Sequence, residues 1–273
     1  MQTGLRKTLS QATVSVAVFA VVLFGFSRVD WLNVFGLKET VVEDKLGELW
    51  WDIYSSDARF VDEPALVAPL DTLLTVLCRA NDIDRSSVRL HLVQDEEVNA
   101  FACPGRHLVV HTSLVDSCRN EAELCGVLAH ELAHLTQGHV MQKLAKEVGL
   151  SALVAITSGS TGTETVGEVA RILSSTAYDR TLESEADALA VRYLLRAGLD
   201  ASAFGEFLLR LAGDDDLPAL TEWISTHPNS EARARRIGEW AAAEASGAAP
   251  ARVCLPPGSW ERWQTELRRC LQE

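Results

Sequence analysis

Residues 125–139 read Cys125-Gly-Val-Leu-Ala-His130-Glu131-Leu-Ala-His134-Leu-Thr-Gln-Gly-His139, and the pattern within them predicts a helix that binds a metal ion. An α-helix advances by about 100° per residue, so His130 and His134 lie about 40° apart and both imidazoles can reach one ion. Glu131 stands beside them and can take a proton from water without binding the metal. This division of roles is typical of His-Glu-x-x-His in zinc-dependent hydrolases.

The residues around the motif favour a buried helix. Asn120 is a candidate N-cap, and Glu121 and Glu123 in the first turn complement the helix dipole. The apolar positions around the two histidines are Leu124, Val127, Leu128, Leu132 and Leu135. The alternative is a surface helix that carries two histidines by coincidence. The apolar surroundings argue against it, because imidazoles buried among such residues need partners, and a metal ion supplies one.

A third ligand is expected in the stretch from Tyr178 to Val191. Glu183 and Asp187 lie one turn apart on the same face of a predicted helix, and Glu185 points away from both. Glu183 can therefore bind the ion, while Asp187 accepts the free ring N–H of a ligand histidine. A solvated acidic face is the alternative interpretation of the same residues.

Four separated motifs follow one another along the chain. They are Asn99-Ala-Phe-Ala with Pro104-Gly105, Glu121-Ala-Glu-Leu-Cys-Gly-Val-Leu-Ala-His-Glu-Leu-Ala-His134, Arg180-Thr-Leu-Glu-Ser-Glu-Ala-Asp187 and Thr226-His-Pro-Asn-Ser-Glu-Ala-Arg233. In this order they resemble the gluzincin metallopeptidase family that includes the CAAX prenyl endopeptidases, HtpX and the BepA-like periplasmic proteases. Because the chain offers one membrane segment and no 34-residue helical repeat, we expect a single-anchor member with the catalytic domain only.

The resemblance implies a role for each residue that matches the family's motifs. The ligands of one zinc ion would be His130, His134 and Glu183. Glu131 would be the general base, and Asp187 the acceptor behind a ligand histidine. His227 and Arg233 match a late His-Pro-x-x-x-x-Arg element, which implies a group that approaches the zinc as an extra ligand or steadies the tetrahedral intermediate.

The N-terminus carries a targeting signal. Arg6 and Lys7 precede an uncharged run, residues 8–27, that is just long enough to span a bilayer. The basic residues before the run place the N-terminus in the cytoplasm and the remaining chain on the periplasmic or extracytoplasmic side. A retained single-pass anchor, a signal peptide that is cleaved to release a secreted periplasmic protein, and a merely buried segment all remain open, and either of the first two exports the domain.

Composition limits the partners of the chain. A net charge of −13 over 273 residues argues against nucleic acid, because phosphate binding needs a basic face. We therefore expect protein or peptide substrates, and contact with a membrane through the N-terminal segment. The six cysteines do not form a disulfide scaffold. Pairing of Cys254 with Cys270, or of Cys118 with Cys125, remains open.

The predicted fold class is α+β and zincin-like, mostly helical with a small sheet beside the metal-binding helix. Strands are expected at residues 88–93, in a short stretch that begins at Asn99, and around residues 108–111, with a Pro104-Gly105 turn between the last two. The strand before the metal-binding helix could hold an extended peptide by backbone pairing. The predicted division of the chain is a 1–30 anchor or signal, a 31–84 helical scaffold, an 85–240 peptidase core and a 241–273 helical tail.

Other histidines are expected outside the site. His139 lies about 180° around the helix from His130, so it cannot share that ion, and we expect it near the dipole at the helix C-terminus. We expect His91 to be solvated, and His107 and His111 to be ordinary residues on one strand face. The polar segment 157–167 is a flexible linker or a flap over the cleft.

The sequence thus predicts a zinc metalloendopeptidase that acts on exported or membrane-associated proteins, with Glu131 moving the proton between water and the leaving amine. A zinc-binding, chaperone-like or latent module for unfolded exported proteins is the alternative. Its motivation is His227, which could occupy the fourth coordination position and keep water out.

Overall fold

The computed structural model describes residues 39–149, 153, 155–156, 177–213, 226–228, 230–244 and 253–272. By its internal contacts the chain divides into two units, residues 1–42 and 43–273. The expected anchor or signal at 1–30 and the expected linker or flap at 157–167 lie outside the described residues. Among the helices that are described, none is long and apolar enough to cross a bilayer.

Helices make up most of the described structure, with three short strands. In chain order the elements are α1 Glu39–Asp57, α2 Pro64–Ala80, β1 Arg89–Val93, β2 Ala100–Cys103, β3 His107–His111, α3 Thr112–Ser117, α4 Glu121–Thr136, α5 His139–Glu147, α6 Arg180–Arg196, α7 Ser202–Gly213, α8 Ser230–Glu244 and α9 Ser259–Gln272. The predicted fold class, a mostly helical α+β arrangement with a small sheet, is confirmed.

The two helices that carry the predicted ligands begin at side-chain caps. At the start of α4, the Asn120 side chain accepts a hydrogen bond from the Glu123 N–H at 3.0 Å. The Glu123 carboxylate in turn accepts the N–H of Arg119, the residue before the cap, at 2.7 Å, so both side chains bind backbone N–H groups at the helix start. At the start of α6, Asp179 accepts the Thr181 N–H at 2.9 Å. These caps set where each helix begins, and hence which residues face inward.

The sheet has the order β1-β3-β2, with β1 parallel and β2 antiparallel to β3. Gly105 turns the chain between β2 and β3 with a φ of +71°, a conformation that glycine adopts without strain. The expectation that the strand before the metal-binding helix could hold a peptide is wrong for β3, because β3 is paired on both sides. The strand that packs beside α4 is β2, whose Ala102 N–H donates to the Glu131 carboxylate at 3.1 Å.

Helix α4 is buried along nearly its whole length. Its close approach to α7 depends on Gly126, because a Cβ at this position would lie 2.4 Å from the Cβ of Phe204. Cys125 and Cys118 are buried as free thiols, and Cys254 and Cys270 are free as well. The Cys125 side chain hydrogen-bonds with that of Cys254, so neither of the two pairings left open by the sequence is formed.

Replacing Gly126 with alanine tests this packing. We expect Gly126→Ala to lower the free energy of unfolding by about 1–3 kcal/mol, because the added methyl group overpacks the α4–α7 contact. Gly238→Ala is the matched control, since this helical glycine has no atom within 4 Å of its Cβ position. The control should be neutral or more stable by up to about 1 kcal/mol. Urea denaturation followed by circular dichroism measures both, and equal stability of the two variants would contradict the close packing.

Candidate metal centre

Four side chains bring their donor atoms together between α4, α6 and the segment 226–228. The Nε2 atoms of His130 and His134 are 3.0 Å apart, and His130 Nε2 is 3.2 Å from His227 Nδ1. The Oε1 atom of Glu183 lies 2.9 Å from His227 Nδ1 and 3.4 Å from His134 Nε2. Donors at about 2.0–2.1 Å from a tetrahedral zinc ion are separated by about 3.3 Å, so the set has the spacing of a metal site.

The local structure explains why these atoms meet. His130 and His134 lie one turn apart on α4, and Glu183 projects from the first turn of α6, which packs along α4. All four side chains are at most 2% exposed. Three imidazoles and a carboxylate buried in contact with one another form a donor set suited to a divalent cation, which is how such groups are usually accommodated in a protein interior.

Behind the donor atoms, Asp187 supports His130. Its Oδ1 atom lies 3.1 Å from His130 Nδ1, the ring nitrogen that faces away from the cluster. This is the contact expected from the one-turn spacing between Glu183 and Asp187. It leaves His130 with its Nε2 lone pair directed at the cluster.

Arg233 joins the two carboxylates. Its Nε and Nη2 atoms donate to the two oxygens of Asp187 at 2.8 and 2.7 Å, and its Nη1 atom lies 2.5 Å from Glu183 Oε2. Burial alone would raise the pKa of Asp187, but Arg233 and His130 hold it at about 2. Burial would likewise raise the pKa of Glu183, and His227 and Arg233 hold it well below its usual value. Both acids are therefore negatively charged in the protein interior.

Glu131 lies beside the cluster, with one oxygen hydrogen-bonded to the backbone and the other near His227. Its Oε2 atom accepts the Ala102 N–H at 3.1 Å, and its Oε1 atom is 3.4 Å from His227 Nε2. Complete burial is the largest cause that raises the pKa of this carboxyl, to about 7, while the neighbouring His130 opposes the shift. The carboxylate thus faces the centre without being one of its four donors.

The sequence interpretation assigned no role to Tyr178, which covers the site. Its ring packs on His134 at a centroid distance of 4.0 Å and on His227 at 5.6 Å. Its backbone N–H donates to the Thr226 carbonyl at 3.1 Å, which ties the start of α6 to the segment that carries His227. The signal for this role was its position immediately before the Asp179 cap, where apolar residues often pack against the helix they introduce.

His139 and His91 lie outside the four clustered donors, as expected, but the surroundings expected for each of them are wrong. His139 begins the next helix, α5, and its Nδ1 atom lies 3.1 Å from His134 Nδ1, so it is not at the C-terminal dipole of α4. His91 is half-buried and packs on Trp51 at a centroid distance of 4.0 Å and on His107 at 5.1 Å. Burial is the first cause that lowers the pKa of both His91 and His107, each to about 4.

His111 belongs to a second, more open group of potential ligands, with Asp95 and Glu97. Its ring is buried, and its Nδ1 atom is 3.1 Å from the Glu97 carbonyl. The structure therefore does not place His107 or His111 among the four clustered donors, in agreement with the expectation that they lie outside the site.

Removal of Arg233 tests the charge balance of the centre. We expect Arg233→Leu to lower the free energy of unfolding of the metal-free protein by about 3–5 kcal/mol, because two buried carboxylates lose their cation. The matched control on the same helix is Arg235→Leu, whose ion pair with Glu231 joins side chains that are 68% and 67% exposed. The control should lose no more than about 1 kcal/mol. Urea denaturation decides, and equal losses in both variants would contradict the proposed balance.

The sequence of this chain is similar to those of known metallopeptidases. Residues 67–241 match the sequence profile of Peptidase family M48. The beta-barrel assembly-enhancing proteases of Yersinia pestis and Escherichia coli K12 are 27% and 28% identical to this chain, and each match covers 70% of it and 42% of the relative. The mitochondrial metalloendopeptidase OMA1 of Schizosaccharomyces pombe is 30% identical over 55% of this chain and 46% of its own length. The chain spans less than half the length of these relatives.

The profile match runs through α4 and α6, which supply the metal-facing atoms, and extends to Ala241 near the end of α8, which carries Arg233. The similarity therefore covers the whole centre and not only the five-residue signature on α4. The chain belongs to peptidase family M48, a family of metallopeptidases.

Proposed function

We propose that this chain is a zinc-dependent metalloendopeptidase that cleaves exported or membrane-associated proteins. The observation that carries the proposal is the meeting of four donor atoms within 4.8 Å of one another, with contacts of 2.9–3.4 Å between neighbouring donors, beside a buried carboxylate that is not one of them. A purely structural metal site needs no such additional carboxylate, whereas hydrolysis needs a base at this place.

Zinc is the metal that best suits these donors. Imidazole nitrogens and a single carboxylate oxygen in a compact, four-donor arrangement favour zinc over magnesium or calcium, which prefer sites built from oxygen. His130, His134 and Glu183 would hold the ion as the protein ligands of the active form. When bound, zinc supplies a Lewis acid that lowers the pKa of water and polarises the carbonyl oxygen of the substrate.

Side chains of this chain would transfer the proton and hold the ligands in position. Glu131 is the general base, because its Oε1 atom faces the centre while the Ala102 N–H holds its Oε2 atom. It takes a proton from the attacking water and returns it to the leaving amine. Arg233 and Asp187 keep His130 and Glu183 in place, so that the geometry of the donors does not have to be re-formed in each cycle.

His227 closes the centre in this conformation. Its Nδ1 atom occupies the fourth donor position, which a catalytic zinc site keeps for water or substrate. Since all four donor side chains are buried, we infer that a peptide reaches the centre after a change of conformation that displaces His227. The proposed enzyme therefore rests in a closed state and becomes active when His227 leaves.

The proposed substrate class rests on the N-terminal sequence and on the names of the relatives. The uncharged run at residues 8–27 supports export, as a single-pass membrane protein or as a periplasmic protein released from its signal. The relatives called beta-barrel assembly-enhancing proteases act, by name, in the assembly of β-barrels. Proteins that fold at or beyond the membrane are the corresponding substrates for this chain.

Replacing the base tests the mechanism. We expect Glu131→Gln to keep the fold and the bound metal but to lower kcat on unfolded casein by at least about 100-fold, because no carboxylate remains to move the proton. Glu147→Gln, an equal change of charge at an exposed position on α5, is the control and should retain wild-type activity. Metal content is measured on the same samples by atomic spectroscopy. Full activity in the Glu131 variant would refute the assignment.

The closed centre also favours the alternative function, a latent zinc-binding module for unfolded exported proteins. His227→Ala separates the two functions. If the chain is a peptidase, the variant should keep its zinc on three ligands and cleave casein faster than the wild type, since the fourth position is open. Zinc bound with no cleavage by either protein would favour the module.

A further inference from the structure

The second ligand histidine of the centre contacts another histidine on the side that faces away from the other donors. His139 is completely buried, and its ring stands edge-on to that of His134 at a centroid distance of 5.0 Å. The Nδ1 atoms of the two rings are 3.1 Å apart. On its other side, His139 Nε2 lies 3.4 Å from the Oε2 atom of Glu185. Two imidazoles thus connect the centre to a carboxylate on α6.

The turn between α4 and α5 places His139 at this position. Helix α4 ends at Thr136, and Gly138 adopts a left-handed conformation with a φ of +66°. This reverses the chain so that His139, the first residue of α5, returns against His134. Gly138 has no atom within 4 Å of its Cβ position, so its conformation and not its size is the reason for glycine here.

One arrangement of protons satisfies all of these contacts. His134 Nε2 faces the other donors, 3.0 Å from His130 Nε2, so its lone pair must be available to a metal and its proton must lie on Nδ1. That N–H donates to His139 Nδ1, which accepts only if the proton of His139 lies on Nε2. The Nε2 proton of His139 then lies on the side of Glu185, whose Oε2 atom is 3.4 Å away. The contacts therefore fix the tautomer of both rings, with the proton on Nδ1 of His134 and on Nε2 of His139.

The two ligand histidines of α4 are held in different ways. His130 is held directly by Asp187, which is buried and paired with Arg233. His134 is held through a second imidazole, and the supporting carboxylate of Glu185 is 60% exposed. The neutral ring of His139 lies between His134 and Glu185, and so keeps the negative charge of Glu185 away from the buried centre. Two negative charges, those of Glu183 and Asp187, already share one arginine there.

We propose that His139 is a positioning residue for the metal centre, which orients His134 and fixes its tautomer, and that Glu185 orients His139 in turn. The proposal rests on the proposed function, because it requires His134 to bind the metal. Outer-shell partners of this kind change metal affinity by about 10–100-fold when they are removed.

The test measures metal affinity and ligand geometry directly. Metal-free protein is titrated with zinc in competition with a chromogenic chelator, and with cobalt(II), whose visible absorption reports the ligand arrangement. We expect His139→Phe, which keeps a buried ring but offers no nitrogen, to weaken zinc binding by about 10–100-fold and to alter the cobalt spectrum. His139→Asn, whose Oδ1 atom takes the place of Nδ1 as acceptor, should restore most of the affinity. Glu185→Ala should weaken binding by less than His139→Phe.

Gln142→Ala is the control on α5, because this exposed side chain donates to the Gln137 carbonyl, away from the described donor atoms, and its loss should leave zinc affinity unchanged. Wild-type affinity and spectrum in His139→Phe would overturn the role of His139 and leave the proposed peptidase intact. Failure of the wild type to bind any metal would instead overturn the proposed function and the inference with it. If His139→Phe does not fold, His139→Asn and the exposed-site variant Glu185→Ala decide. Wild-type zinc affinity in Glu185→Ala together with lost affinity in His139→Asn would overturn the proposal that Glu185 and His139 orient His134.

Discussion

Two buried carboxylates one helical turn apart, Glu183 and Asp187, impose the strongest constraint on this structure. An ionised carboxylate away from water is costly unless charge and hydrogen bonds compensate for it. Arg233 supplies the charge to both, and its planar guanidinium engages Asp187 through two parallel bonds. The remaining oxygen atoms face imidazoles. Helix α8 must therefore pack where its arginine reaches α6, and this packing encloses the centre.

The burial of α4 follows from the same requirement. A helix that carries a metal site in the protein interior has to be covered on all sides, and small residues such as Gly126 let neighbouring helices approach closely. The sheet covers the remaining side and contributes a backbone donor, the Ala102 N–H, to Glu131. The same enclosure has a consequence for function. With His227 and Tyr178 packed over the donors, the proposed catalysis requires a change of conformation before the chemical step.

Sequence reasoning succeeded for local features and failed where distant elements meet. The cap at Asn120 and the one-turn spacing of Glu183 and Asp187 depend on neighbours in the chain, so the local sequence predicts them. The expectation for His139 failed for a definable reason. Its angular position was extrapolated along a continuous helix, but the left-handed residue Gly138 ends that geometry one residue earlier. The strand order was likewise beyond reach, because pairing is decided by contacts across the sheet and not by position in the chain.

The sequence by itself determined the mostly helical fold class with a small sheet, the pair of histidines with Glu131 beside them, and the family to which the chain belongs. These features follow from the periodicity of the sequence and from the fixed geometry of a single helix, both of which depend on residues close together in the chain. Only the tertiary structure decided that Glu183 and His227 reach the same point as His130, that β2 is the strand beside the base, and that a second imidazole supports His134. Such contacts join residues far apart in the chain, and their formation depends on how the buried charges and apolar faces of separate helices are satisfied together.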